Sequence, residues 1–230
     1  MPTTPEDPSK LSSPGRRVHR WQRDDGAEFD RIAFFSDAIY AIAMTLLALD
    51  LRIDHLAAPV DAPSSMFAAL DDLFPKFVAY FVGFLLLARY WKSHHGFFGR
   101  LKAVDSRLLT LNLTYLGFVA LLPFPTSLIG AYEENPISVV LFSLNMAIIS
   151  GLETVSLRHA YRAGLMRRSA SLAVQRWEIT ASLIPSVMFV VTIPLAFISP
   201  TLQLVSWLPI GIATSWWTRR TEPPGTPLPA

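Results

Sequence analysis

Cysteine is absent from all 230 residues, so disulfides, thiolate metal sites and cysteine nucleophiles are excluded. Charge is scarce. Asp, Glu, Lys and Arg make up 17% of the chain, against about 25% in an ordinary soluble domain. A charged side chain at bilayer depth is costly, so this deficit is a first sign of lipid. There is no dinucleotide G-x-G-x-x-G, no phosphate-binding Walker loop, no G-x-S-x-G elbow and no H-E-x-x-H pair. A Thr-Val-Gly-Tyr-Gly filter and an Arg-rich voltage-sensing span are also lacking. No internal repeat supports an inverted-repeat transporter. These absences leave no catalytic constellation, so no enzyme activity, cofactor or metal is expected.

What is present is a series of apolar blocks. Hydrophobic residues are 51% of the chain and the mean hydropathy is +0.36. The blocks cover residues 32–51, 66–91, 108–129, 136–157, 179–198 and 202–217. A helix needs about 20 residues to cross the hydrocarbon, so the length suits six spans. Only Ser199-Pro200-Thr201 separates the last two blocks. Because Pro stops a helix, these residues form a hairpin turn, unless the two blocks merge into one re-entrant segment. The expected fold is all-α, an integral membrane subunit of six helices over residues 31–218. The polar tails, residues 1–30 and 219–230, read as disordered. No apolar core precedes residue 32, which argues against a cleavable signal peptide.

The basic residues orient the spans. Six Lys or Arg lie up to Arg31, five between Arg89 and Arg107, five between Arg158 and Arg176, and two at Arg219 and Arg220. Only Arg52 and Lys76 fall on the other side, so alternate loops hold 18 of the 20. The positive-inside rule then places both termini in the cytoplasm of a multi-pass plasma-membrane protein. The opposite loops carry Asp50, Asp54, Asp61, Asp71, Asp72, Glu133 and Glu134. The pI near 9.0 follows from this topology, and nucleic acid is not an expected partner.

The first block opens Arg31-Ile-Ala-Phe-Phe35-Ser36-Asp37. Arg31 either marks the cytoplasmic end and snorkels or finds a partner on another helix. Asp37 lies two turns in on a short side chain, so it should be partnered or face water. Beyond it, Phe35, Ile39, Ile42, Leu46 and Leu49 recur at three- and four-residue spacing, with Ala38 and Thr45 beside them. On pattern alone this stripe is a helix or lipid contact. His94 and His95 stand at the end of the second block. Adjacent positions on a helix diverge by about 100°, which suits hydrogen bonding to Ser36 or Asp37 better than chelation. Trp91 reads as an interfacial anchor. Asn112 needs a partner inside its span. Pro123, Pro125, Pro185 and Pro194 should break or kink their helices.

The string Arg31-x-x-x-Phe35-Ser36-Asp37, followed by Ala41-Ile42-Ala43-Met44-Thr45-Leu46-Leu47 and Leu49-Asp50, resembles the first-span signature of the endolysosomal transmembrane potassium channel family, in its prokaryotic members. Trp91-x-x-His94-His95, then Asn112-Leu113 and Leu122-Pro123-Phe124-Pro125-Thr126, resemble that family's second and third spans. The similarity covers the first 130 residues or so. It implies a homotetramer whose first spans line a potassium pathway. Ile42 would form the constriction, Leu46 and Leu49 would continue it, and Thr45 would lie on the pore wall. Arg31, Phe35, Ser36, Asp37, His94 and Asn112 would hold the pore helices. The implied selectivity for potassium over sodium is modest. Residues 54–66 form a longer outer loop than the family pattern suggests.

Such a pore has a physical basis. An apolar ring gates by dewetting and sieves by how readily an ion sheds water. Asp50 and Asp54 at the outer mouth would concentrate cations. The competing expectation is a secondary or proton-coupled transporter that uses Asp37 and His94 or His95. It predicts saturable, pH-dependent flux.

Overall fold

The computed structural model describes residues 20–22, 27–53 and 62–224. Helices dominate, and prolines set most of their boundaries. The first span is α1 (Ala27–Leu46), which tightens into a 3-10 turn over Leu47–Asp50. A short α2 (Pro63–Asp72) precedes α3 (Phe74–Arg100). The block expected as one span over 66–91 is therefore two helices. Pro75, in the first turn of α3, would clash with the carbonyl four residues back, so no single helix runs through Leu73. The second span also continues nine residues past Trp91, which places His94 and His95 inside α3 rather than at its end.

The third span is α4 (Ser106–Leu121) and α5 (Pro123–Ala131), broken at Leu122 where the first proline of the pair enters. The fourth is one long helix, α6 (Pro136–Arg162). The fifth is α7 (Leu172–Val191), which carries Pro185 without ending, and a final turn, α8 (Ile193–Ala196). The sixth is α9 (Pro200–Arg220), with Ser199 Oγ accepting from Leu202 N at 3.3 Å as its cap. The fifth and sixth blocks are thus separate helices, not one re-entrant segment.

Four units are long and apolar enough to cross a bilayer: 27–50, 106–131, 136–162 and 172–196. The other two reach by length. The 27 residues of α3 and 21 of α9 rise about 40 and 30 Å. Lys76, Arg89, Lys92 and Arg100 dilute the apolar character of α3, and Gln203 with several hydroxyls dilutes that of α9. Large apolar side chains such as Phe34, Leu85, Leu208 and Ile212 lie uncovered on the helix exteriors, as lipid contact requires. The chain is a multi-pass membrane protein with an all-helical, six-span fold.

One feature departs from that plan. Arg20–Gln22, assigned above to a disordered tail, forms strand β1, paired antiparallel with β2 (Ala103–Asp105) in the α3–α4 connection. The pairing aligns Trp21 with Val104, and both lie against an apolar cluster around Phe29, Phe98, Leu101 and Leu165. Trp21, half-buried there, adds apolar contact to so short a strand. α1 likewise begins four residues before Arg31, and α9 ends two residues beyond 218. The same end of the bundle is cross-linked. Asp105 caps α4 through Leu108 N (2.8 Å) and receives His159 of α6 on both carboxylate oxygens (2.9 Å). Arg100 of α3 pairs with Glu178 of α7 at 2.7 Å, and Tyr161 of α6 donates to the same carboxylate. A second apolar cluster fills the middle of the bundle, around Leu87, Val119, Phe142, Ile149, Phe189 and Trp207.

Candidate functional site: the first helix and its polar anchor

α1 has two faces. Phe29, Ser36, Tyr40, Ala43 and Leu47 are buried, and their seven-, four- and three-residue intervals lay them along one line. The opposite line runs through Arg31, Ala38, Ile42, Thr45 and Leu49 and is uncovered. Ile42 is 54% exposed and Leu49 66%, with Leu46 and Phe35 exposed at the flank. Ile39, which the spacing put in the same stripe, instead turns partly into the core. Thr45 donates its hydroxyl to the Ile42 carbonyl at 2.8 Å.

Polar contacts hold the buried face. Ser36 donates to Ile32 O (2.9 Å) and accepts from the Asn112 amide (3.1 Å). Asn112 Oδ1 accepts from His94 Nε2 (2.8 Å). Three helices, α1, α4 and α3, are thereby joined by one relay in which each donor has an acceptor. Ser36, His94 and Asn112 are all buried, so the relay is closed to competing water. On the next side of α1, the indole of Trp91 donates to Asp37 Oδ1 at 2.9 Å. One turn above Ser36, the hydroxyls of Tyr40 and Tyr115 bond to each other.

The structure thus brings Ser36, His94 and Asn112 together, with Asp37 beside them on Trp91. It leaves Arg31 and Phe35 on exposed positions outside the relay. His95 lies tilted against Trp91, with centroids 5.5 Å apart, and does not touch the relay. Asp50 lines an open cavity of about 220 Å³ that also contains Arg52, Lys76, Tyr80 and Tyr132. Asp54 lies outside the described residues.

Several participants escaped sequence reasoning in whole or in part. Trp91 has a donor role as well as an interfacial one. Tyr40 and Tyr115 were silent because each sits in an apolar run and their partnership spans 75 residues. Glu153 of α6 accepts from Ser93 of α3, and Ser150 pairs with Tyr90. A glutamate inside an otherwise apolar block was the available signal.

The family model for the endosomal/lysosomal potassium channel TMEM175 matches residues 31–123, which contain both the relay and the uncovered stripe. A potassium channel of Streptomyces collinus is 31% identical over 185 residues, 78% of this chain and 87% of that protein. The human endosomal/lysosomal proton channel TMEM175 is 34% identical over 111 residues, 46% of this chain but 22% of that longer protein. The crystal structure of a lysosomal potassium-selective channel TMEM175 homologue from Chamaesiphon minutus aligns with a TM-score of 0.66 at 23% identity. It covers 83% of this chain and 98% of that one, so the fold is shared. The chain belongs to the TMEM175 family.

Proposed function

We propose that four copies of this chain surround a central axis and conduct potassium along α1, with Ile42 at the narrowest point. The observation that carries this reading is the two-faced first helix. Its back is fastened by hydrogen bonds to α3 and α4, while the stripe through Ile42 and Leu49 is left uncovered among the described residues. A helix that only faced lipid would not need its rotation fixed by polar contacts.

In this reading Leu46 and Leu49 extend the narrow stretch outward. The Thr45 hydroxyl, its proton already given to Ile42 O, offers lone pairs to a passing cation. The apolar ring favours potassium because that ion gives up water more readily than sodium. Relatives named potassium channels support the choice of ion. Asp50 attracts cations less than an isolated acid would, since Arg52 and Lys76 line the same cavity. The basic loops orient both termini to the cytoplasm, in the plasma membrane. Ser36, Asp37, His94 and Asn112 position the pore helix, and Arg31 marks its inner end.

The test is unitary current in a planar bilayer. Discrete steps that reverse with the potassium gradient are expected, and Ile42→Ser should change conductance or selectivity. Saturable flux without steps would replace the channel by a carrier using Asp37 and the histidines. Mouse and human relatives are named proton channels, so proton permeation is the second reading. A reversal potential that follows pH instead of potassium would favour it.

A further inference from the structure

We infer that Tyr40 and Tyr115 form a second, upper tether that sets the rotation of α1 at the level of Ile42, and so act as positioning residues for ion selectivity. The inference deepens the channel reading and rests on it.

The geometry is that of two rungs. The lower rung joins Ser36 of α1 to Asn112 of α4. The upper joins Tyr40 to Tyr115, one turn further along both helices. The lower rung and the Trp91–Asp37 bond hold α1 only near its inner end, and the second rung carries that hold one turn outward, to the level of Ile42. His94 fills the space between them. Its ring stacks on Tyr115 (centroids 5.4 Å apart, planes 16° apart), lies tilted against Tyr40 at 5.7 Å, and bonds to Asn112. Phe98 stacks behind it at 4.5 Å. The rungs are therefore one packed unit. Tyr40 is 1% exposed and Tyr115 3%, so no water substitutes for the hydroxyl pair.

Position gives the upper rung its effect. Ile42 is two residues beyond Tyr40, about 3 Å along the axis and about 200° around it. Past Tyr40 the buried face of α1 offers only Ala43 and Leu47, which have no directional bonds from their side chains. Apolar contacts resist separation better than rotation. With side-chain tips about 5–6 Å from the helix axis, a 20° turn of α1 would move the Ile42 side chain by about 2 Å. A shift of that size is comparable to the width of the ion that must pass.

The test uses Tyr40→Phe, Tyr115→Phe and the double variant of the full chain, recorded as single channels in planar bilayers. Each keeps the aromatic ring and its stacking and removes only hydroxyl. The potassium-to-sodium permeability ratio, read from the reversal potential in bi-ionic solutions, is expected to fall about twofold or more in each single variant. The double variant should fall no further than the larger single one, because both remove the same bond. A purely structural role would lower thermal stability and leave the reversal potential of the surviving channels unmoved. Wild-type steps with an unchanged ratio in both single variants overturn this inference alone. Absence of unitary current in the unaltered protein overturns the channel reading, and this inference with it.

Discussion

Replacing Asn112 with alanine removes the side chain that links all three helices of the anchor. Two bonds go, the one from His94 and the one to Ser36. Ser36 keeps its own proton on Ile32 O, so the lasting damage falls on His94, whose ring N–H is left buried without an acceptor. Side-chain hydrogen bonds within membrane bundles are worth about 0.6 kcal/mol on average, so the pair accounts for about 1 kcal/mol. An orphaned buried donor costs a further 1–3 kcal/mol or so, and this term dominates. The expected destabilisation is about 2–4 kcal/mol. Unfolding of the purified protein in mixed micelles, driven by rising SDS fraction and followed by tryptophan fluorescence, measures it. Ser36→Ala should cost less, about 1–2 kcal/mol, since one Asn112 amide hydrogen is all it strands. The double variant should be little worse than Asn112→Ala alone, because the two positions share a bond. A loss under about 0.5 kcal/mol for Asn112→Ala, or full additivity in the double variant, would refute the relay as a coupled unit.

Two further outcomes test the frame around the anchor. A Cβ on Gly130 would stand 2.9 Å from the Lys76 Cα, a backbone atom that cannot step aside, so Gly130→Ala should force α5 away from α3 and cost about 1–3 kcal/mol in the same unfolding assay. Arg100→Gln should leave the Glu178 carboxylate, 9% exposed, with Tyr161 as its remaining donor; because Arg100 itself is 30% exposed, the loss should stay near 2 kcal/mol, below that of a fully buried pair, and Glu178→Gln added on top should recover part of it.

Much of the architecture was legible because its causes are local. Spans show as runs with little charge, and the prolines at 123 and 200 mark real helix starts. Ser36, Asp37, His94 and Asn112 stood out because polar groups in apolar runs must be satisfied somewhere. Which of them meet could not be read, since pairing is decided by how α1, α3 and α4 pack. Asp37 illustrates this: the histidines were its expected partners, and the indole of Trp91 reaches it instead. The Tyr40–Tyr115 rung was hidden for the opposite reason, as tyrosine passes for an apolar residue until its hydroxyl is placed. The break at Leu73 is marked by Asp71 and Asp72 just before it and Pro75 just after, signals that a single block over 66–91 passes over.

The β1–β2 ribbon has a consequence for how the chain is made. Trp21 leaves the ribosome early, but its partner Val104 follows only about eighty residues later, after two membrane crossings have been synthesised. The ribbon cannot close unless the tail has waited on the side to which the α3–α4 turn returns. A chain inserted with α1 reversed leaves β1 across the bilayer from its mate and Trp21 without its apolar seat. The ribbon thus closes only when tail and turn share a side, and the apolar seat of Trp21 is filled only once Leu165, beyond the fourth span, has followed.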